Sequence, residues 1–386
     1  MTDQELHGHL IDQQGSRLAF NTPVLVIELD VLTRNIQRMA DFAADKGLKL
    51  RPHAKTHKSP EIARRQIAAG AVGACCAKIG EAEVLADDGV TQGLHITSPV
   101  VSAPAIARLV ALNGRTEGLM VVADHPDNVH ALGVAASAAG KPLAVIIDID
   151  PGIRRTGVAS PEAAAALLEA IRAEPMLIYK GVQCYCGMQQ HMAAFAERRD
   201  AMADRAAYVR TIVQALTAAG GAPEIVTGGG TGTHRIDAEL DLFTELQVGS
   251  YVFMDSQYLA CDLTGDGSAA PFETALMVDA RVVSANGPGM VTLDAGFKAF
   301  STDADPPLVL SGAGEGAKYF FMGDEHGALI TPPGEHFQLA DIVTLAAPHC
   351  DPTVNLYDWY VGVRHFGTPD AHVETVWPVA ARGAVT

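Results

Sequence analysis

Cysteine is scarce, six in 386 residues, and its spacing excludes the two framework roles it usually fills. Cys75-Cys76 and Cys184-x-Cys186, with Cys261 and Cys350 isolated, make no paired CxxC knuckles for structural zinc, and six are too few for a disulfide scaffold. These thiols are expected to act as small buried apolar residues. No stretch approaches the roughly 20 uninterrupted apolar residues that cross a bilayer. The opening residues, MTDQELHGHLIDQQGSRL, place no basic segment ahead of an apolar one. Neither a membrane span nor a secretory signal is therefore expected, and the cytoplasm is the expected location. Basic residues are also short. Against 45 Asp and Glu stand 28 Lys and Arg, a net charge of −17, which argues against nucleic acid or an anionic membrane as partner. A small anionic ligand remains open, since it needs only a few local cations or oriented amides.

Hydrophobic residues make up 48% of the chain, ample for a packed core, and the length suits one large domain with a smaller one. Eight short apolar, β-rich runs recur: LKLRPHA (48–54), VGACCAKI (72–79), GLHITSP (93–99), GLMVVAD (118–124), LAVIIDID (143–150), GVQCYCG (181–187), EIVTGGG (224–230) and ELQVGSYVF (245–253). Alanine-rich amphipathic stretches lie between them, among them SPEIARRQIAAG, APAIARLVALNG and PEAAAALLEAIRAE, several ending in glycine as helices commonly do. Continuous apolar strands alternating with helices indicate parallel strands covered by helices. Eight such units over 31–264 fit a closed (β/α)8 barrel, with a doubly wound open sheet as the alternative. Beyond residue 265 helical periodicity fades and runs such as GMVTLDAG and LADIVTLAAPH alternate with turns, predicting a mainly-β C-terminal domain over 265–386. The early run TPVLVIELD predicts that segment 1–30 pairs with that domain.

Three segments could carry chemistry. In RPHAKTHK (51–58), Lys55 falls at the C-terminal end of the first barrel strand, the face where barrel active sites lie. Partly desolvated beside His53, His57 and Lys58, its amine is expected to have a depressed pKa, as Schiff-base chemistry needs. The plain alternative is a solvated lysine in a basic turn. In TGGGTGTH (227–234), after the seventh strand, glycines let the backbone approach a ligand and successive N–H groups can cradle a phosphate. Thr227, Gly229, Gly230 and Thr231 are the candidates there, and a flexible loop is the alternative. In APHCD (347–351), a strand would put His349 and Asp351 on one face and Cys350 on the other. That N/O pair suits Mg²⁺ or Mn²⁺, completed by water or substrate; a solvated pair is the alternative. Softer candidates are Arg154 and Arg155 after the fifth strand, Tyr185, Gln183, Gln189 and His191 around the sixth, and Gly249, Ser250 and Tyr251, which could complete a phosphate cup.

Taken in order, HAKTHK, DPGIRRTG, TGGGTGT, QVGSYVFMD and HCD resemble the fold-type III pyridoxal-phosphate enzymes of the D-threonine aldolase and metal-activated D-serine dehydratase group, over nearly the whole chain. Within it the likeness is to the 3-hydroxy-D-aspartate aldolases. The resemblance implies an alanine-racemase-like TIM barrel with a β domain, a homodimer with active sites near the subunit interface, Lys55 as the cofactor lysine and His349 with Asp351 as metal ligands. Arg155, Tyr185, Thr227, Gly229, Gly230, Thr231, Gly249 and Tyr251 are the expected cofactor contacts, and His191 the candidate base. Dehydratases of the group carry a histidine and a cysteine two positions apart; here that second position is Asp351, and Cys350 stands at the wrong offset. The implied activity is metal-assisted cleavage of a D-configured β-hydroxy amino acid, 3-hydroxyaspartate to glycine and glyoxylate. The alternatives are a D-threonine aldolase or a D-serine or 3-hydroxyaspartate dehydratase releasing ammonia. An amino-acid racemase, a sugar-phosphate barrel enzyme and a pyridoxal-phosphate carrier are more distant readings.

Overall fold

The computed structural model describes residues 2–368 and 370–386. Its first strand, β1 (Val24–Glu28), leads into the helix Leu29–Asp45, and eight short strands then follow: β2 (Lys49–Leu50), β3 (Ala74–Cys76), β4 (Leu94–Ile96), β5 (Met120–Ala123), β6 (Leu143–Asp148), β7 (Leu177–Cys184), β8 (Ile225–Gly228) and β9 (Glu245–Leu246). These run parallel in the order β2-β9-β8-β7-β6-β5-β4-β3. A parallel bridge between His53 and Cys75 joins β2 to β3 and closes the ring. Val121, Val145 and Ile147 are wholly buried, as parallel strands under a helical coat require.

Two of the helices start where serine meets proline. Ser59 and Ser160 cap Pro60–Ala68 and Pro161–Ala173, their hydroxyls accepting the Ile62 and Ala163 amides, with proline in the first turn where its missing N–H costs nothing. The barrel interior is partly polar. Arg51 pairs with Glu245 through two bonds of 2.8 and 2.9 Å, and Gln247, Gln183 and Asp148 continue a hydrogen-bonded floor. Burial pushes the Asp148 carboxyl up to about 6.

The remaining strands are β10 (Leu276–Gly287), β11 (Met290–Leu293), β12 (Leu308–Ser311), β13 (Lys318–Phe321), β14 (Gly327–Ile330), β15 (Ile342–Ala346), β16 (Trp359–Arg364) and β17 (His372–Pro378). With β1 they form a nine-stranded sheet, in which β1 lies antiparallel to β10 and parallel to β16. Among the described residues no helix is long and apolar enough to cross a membrane. All six cysteines are free and all but Cys261 are buried.

One local expectation fails here. His349 and Asp351 are not on a strand: β15 ends at Ala346, and Cys350–Val354 is a short helix with His349 at its N-cap. Pro348 has no N–H to extend the ladder, and Pro352 suits a first helical turn.

Candidate active site at the barrel mouth

Lys55 sits in the 3-10 turn Ala54–Thr56 that follows β2, at the C-terminal end of the barrel strands. Its ammonium is in direct contact with the Asp351 carboxylate, 296 residues away in sequence. Enclosure works against charge on this lysine, but the Asp351 carboxylate outweighs it and holds the amine protonated beyond the ordinary lysine range. The expected depression is therefore reversed, because the nearest strong charge comes from the other domain. Burial alone would likewise push the Asp351 carboxyl up; the Lys55 ammonium, and then His349, hold it well below the usual carboxylate range. Asp351 Oδ1 is buried without a hydrogen-bond partner.

The segment carrying His349 and Asp351 is fastened to the end of the barrel. Asp255 caps the short helix Ser256–Leu259 by accepting the Tyr258 amide, and its other oxygen accepts the Cys350 amide at 3.0 Å. Ser256 adds two bonds, its amide to the Ala347 carbonyl and its hydroxyl to the Pro348 carbonyl. From the β domain, Ser301 binds both the amide and the carbonyl of His349. Asp303 accepts from His349 Nδ1 at 2.8 Å. None of Asp255, Ser256, Ser301 or Asp303 stood out in the sequence, although Asp255-Ser256 ahead of a helical turn is a capping signal.

The glycine-rich loop after β8 lies against the same turn. A Cβ on Gly249 would stand 2.7 Å from Thr56 Oγ1, and the Tyr251 amide donates to Thr231 Oγ1 at 2.8 Å, so positions 55–56, 249–251 and 229–233 are contiguous. Gly229 has φ +72° and would meet Asp237 Oδ2 at 2.5 Å with any side chain, so its glycine is required by the turn itself. Gly230 and Gly232 are covered by Gln190, whose Oε1 accepts the Gly232 amide and whose Nε2 donates to Thr233 Oγ1. Among the described residues the Thr231 and Ser250 amides have no protein acceptor. Two free N–H groups, one on each of two abutting segments whose neighbouring glycines leave no room for a Cβ, fit a phosphate.

The side chains of two expected cofactor contacts, Thr227 and Tyr251, are directed elsewhere. The Thr227 hydroxyl is taken up inside the barrel wall, donating to Glu245 and accepting from Gln247. Tyr251 turns its phenol away into the core, where it accepts from Gln66 at 3.1 Å, leaving only its backbone near the cup. Thr227 is turned inward by its register on β8 and Tyr251 by the 3-10 turn Ser250–Val252, neither of which a motif read by spacing reveals.

The remaining candidates gather around Lys55. Tyr185, directly after β7, has its phenol pushed up by burial and drawn back by the nearby Lys55 charge. Arg155 lies in the exposed loop after β6 with its guanidinium 5.5 Å from the Tyr185 ring centre. His191 stands at the rim with its ring 4.5 Å from that of Tyr258. Its pKa is lowered by partial enclosure and then by the charges of His349 and Lys55, which keeps the imidazole neutral and able to accept a proton. Of the basic residues near Lys55, His53 is bonded to Thr97 and His57 is wholly buried, with burial pushing both imidazoles towards the neutral form, and Lys58 is paired with Glu81 at 2.7 Å.

The donor set at the mouth suits two groups. An amine in reach of unpartnered loop amides fits a carbonyl cofactor with an anionic tail. His349 and Asp351, with one orphaned carboxylate oxygen, fit a hard divalent ion. Among the described residues no three metal-binding side chains gather as a closed cage, so such an ion would keep positions open for water or substrate.

A parallel barrel with a lysine at the C-terminal end of its first strand, abutted by a β domain that reaches into the mouth, defines the alanine-racemase-like class of protein. The chain belongs to that family: the family described as "Alanine racemase, N-terminal domain" matches residues 27–257, and "Putative serine dehydratase domain" matches 275–363. It is 39% identical over 365 residues to a 3-hydroxy-D-aspartate aldolase of Paracoccus denitrificans (strain Pd 1222), covering 94% of this chain and 92% of that one. It is 38% identical to a D-threonine aldolase of an Arthrobacter species, covering 96% and 95%. The crystal structure of D-threonine aldolase from Filomicrobium marinum superposes with a TM-score of 0.91 at 36% identity, over 96% of this chain and 98% of that chain.

Proposed function

We propose that this protein is a pyridoxal-phosphate- and divalent-metal-dependent aldolase. Its substrate is a D-configured β-hydroxy amino acid, foremost 3-hydroxyaspartate, which it splits between Cα and Cβ to glycine and glyoxylate. The observation that carries this reading is the direct contact of Lys55 with Asp351 at the mouth, where a cofactor amine and a metal ligand would have to lie side by side.

Lys55 would hold the cofactor, with the Thr231 and Ser250 amides on its phosphate. Bound there, the cofactor supplies a sink for the electrons left on Cα when a bond to it breaks. His349 and Asp351 would hold the divalent ion, which supplies acidification of a substrate hydroxyl. The chain's own residues then decide which bond breaks. His191, neutral and beside both ligands, takes the β-hydroxyl proton; the electron pair left on that oxygen forms the aldehyde carbonyl as the Cα–Cβ bond parts and its own pair stays with Cα. Lys55, which borders the same space, returns a proton to Cα. Arg154 and Arg155, exposed after β6, are the cations left for the substrate's second carboxylate, an anion too costly to enclose unpaired. A homodimer belongs to the same proposal, with the exposed Leu308, Phe320 and Met322 of the β domain as surface to cover.

The test is product analysis. The holoenzyme is incubated with Mg²⁺ or Mn²⁺ and, separately, the 3-hydroxyaspartate isomers, D-threonine and D-serine, scoring glycine, glyoxylate, oxaloacetate and ammonia. Equimolar glycine and glyoxylate without ammonia, suppressed by EDTA, is the expected result. Ammonia and an oxo acid without glycine would make the protein a dehydratase instead.

A further inference from the structure

His349 is held by more than its place in the helix. Its ring donates from Nδ1 to Asp303 Oδ2 at 2.8 Å. The segment that carries Asp303 also binds this turn at the backbone. The His349 amide donates to Ser301 Oγ at 3.1 Å, the Ser301 hydroxyl donates to the His349 carbonyl at 3.2 Å, and the Ser301 amide donates to Thr353 Oγ1 at 3.0 Å. Residues 301–303 therefore grip 349–353 at four points, three of them on the backbone or beside it and one on the imidazole. An isolated ion pair at the surface would be worth little and would carry no orientation. This one ends a strap whose other bonds are buried or part-buried, so the carboxylate arrives at the ring in a fixed position.

The consequence is chemical. A carboxylate accepting at Nδ1 requires the proton to sit on that nitrogen, which leaves the lone pair on Nε2. Metal-binding histidines are commonly fixed in this way, with the far nitrogen anchored to a carboxylate that sets both tautomer and ring plane. Among the described residues no hydrogen bond is formed by His349 Nε2. The side chain is only 24% exposed, so its ring has few orientations to choose from.

We infer that Asp303 is a positioning residue for the metal site, holding His349 in the tautomer and orientation that present Nε2 to a divalent ion. This rests on the metal reading of the proposed function and adds a residue to it: Asp303 touches neither ion nor substrate and acts through His349.

The test measures metal binding, with no turnover involved. Mn²⁺ affinity of the cofactor-loaded protein is measured by the electron paramagnetic resonance of free Mn²⁺ for the wild type, Asp303→Ala, Asp303→Asn, Asp303→Glu and His349→Ala. Asp303→Ala is expected to raise the Kd by about 10- to 100-fold. Asp303→Asn, which keeps an acceptor oxygen without the charge, should fall between, and Asp303→Glu should recover part of the loss. The visible band of lysine-bound cofactor should not change in any Asp303 variant, since the side-chain bond of Asp303 runs to His349 and not to Lys55 or the glycine-rich loop. A Kd for Asp303→Ala within twofold of wild type, while His349→Ala abolishes tight binding, overturns the inference and leaves the metal site standing. If His349→Ala binds Mn²⁺ as tightly as wild type, the metal reading itself falls.

Discussion

Replacing Asp351 by Asn should move two properties of the protein in opposite directions. The carboxylate in contact with Lys55 keeps the amine protonated, and an ammonium cannot attack a carbonyl. At about pH 7.5 an unperturbed lysine is free base in only about one molecule per thousand, and each unit by which its pKa rises removes a further tenfold. Two unit charges ~4 Å apart at an effective dielectric of ~20 attract by about 4 kcal/mol, or ~3 decades in free amine. Lys55 keeps 37% of its side-chain surface, so water screens part of this; a gain of about 10- to 100-fold is the reasonable figure. Asp351→Asn removes the attraction but keeps the shape, leaving the enclosure that favours neutral amine. The assay mixes apoprotein with pyridoxal phosphate and follows the visible band of the lysine-bound cofactor by stopped flow. Capture should be faster by that factor in the variant, while metal-dependent cleavage is lost with the ligand. Capture at the wild-type rate or slower would refute the electrostatic account of Lys55.

Two further outcomes follow from the cup and its support. Gly232→Ala would drive a Cβ into the Gln190 carbonyl oxygen, a backbone atom that cannot swing aside; at about 1–3 kcal/mol of overpacking, pyridoxal phosphate affinity by fluorescence titration should fall by roughly 5- to 150-fold, and an unchanged Kd would show that this loop does not hold the phosphate. Asp237, buried beneath Gly229, has its carboxyl pushed up to about 7 from 3.8. Because the folded state holds this proton more tightly than the unfolded one, its contribution is complete below pH ~4 and is lost as pH rises towards ~7, at most about 4 kcal/mol. Asp237→Asn should flatten that part of the pH dependence of the denaturant midpoint; the same slope in both proteins would place the titration elsewhere.

The eight barrel strands were legible because each is an apolar, β-branched run bounded by turn residues, as in LAVIIDID, where β6 falls at Leu143–Asp148. The chain forms the expected barrel and β domain for that reason. The site was legible only where its chemistry is local. Lys55 could be placed at a strand end, but its charge state could not, since the sequence shows the basic residues at 53, 57 and 58 and not a carboxylate 296 residues on. Asp303 lies 46 residues before His349 in a segment without periodicity, so nothing local marks it. The misplacement of His349 on a strand had a visible cure: a proline on each side of HCD opposes a continuing ladder. Thr227 and Tyr251 sit in the right motifs, yet their side-chain directions are fixed by packing against Glu245, Gln247 and Gln66.

The position of β1 sets an order on the chain's own synthesis. This strand leaves the ribosome before any strand of the barrel, yet both of its partners, β10 and β16, follow the barrel's last strand. Its two rows of unpaired backbone groups must wait, exposed, while the whole barrel between them is made, the kind of edge that invites mispairing. The two domains are thereby laced together, and Lys55 and Asp351, one from each, are brought face to face only when the lacing is complete.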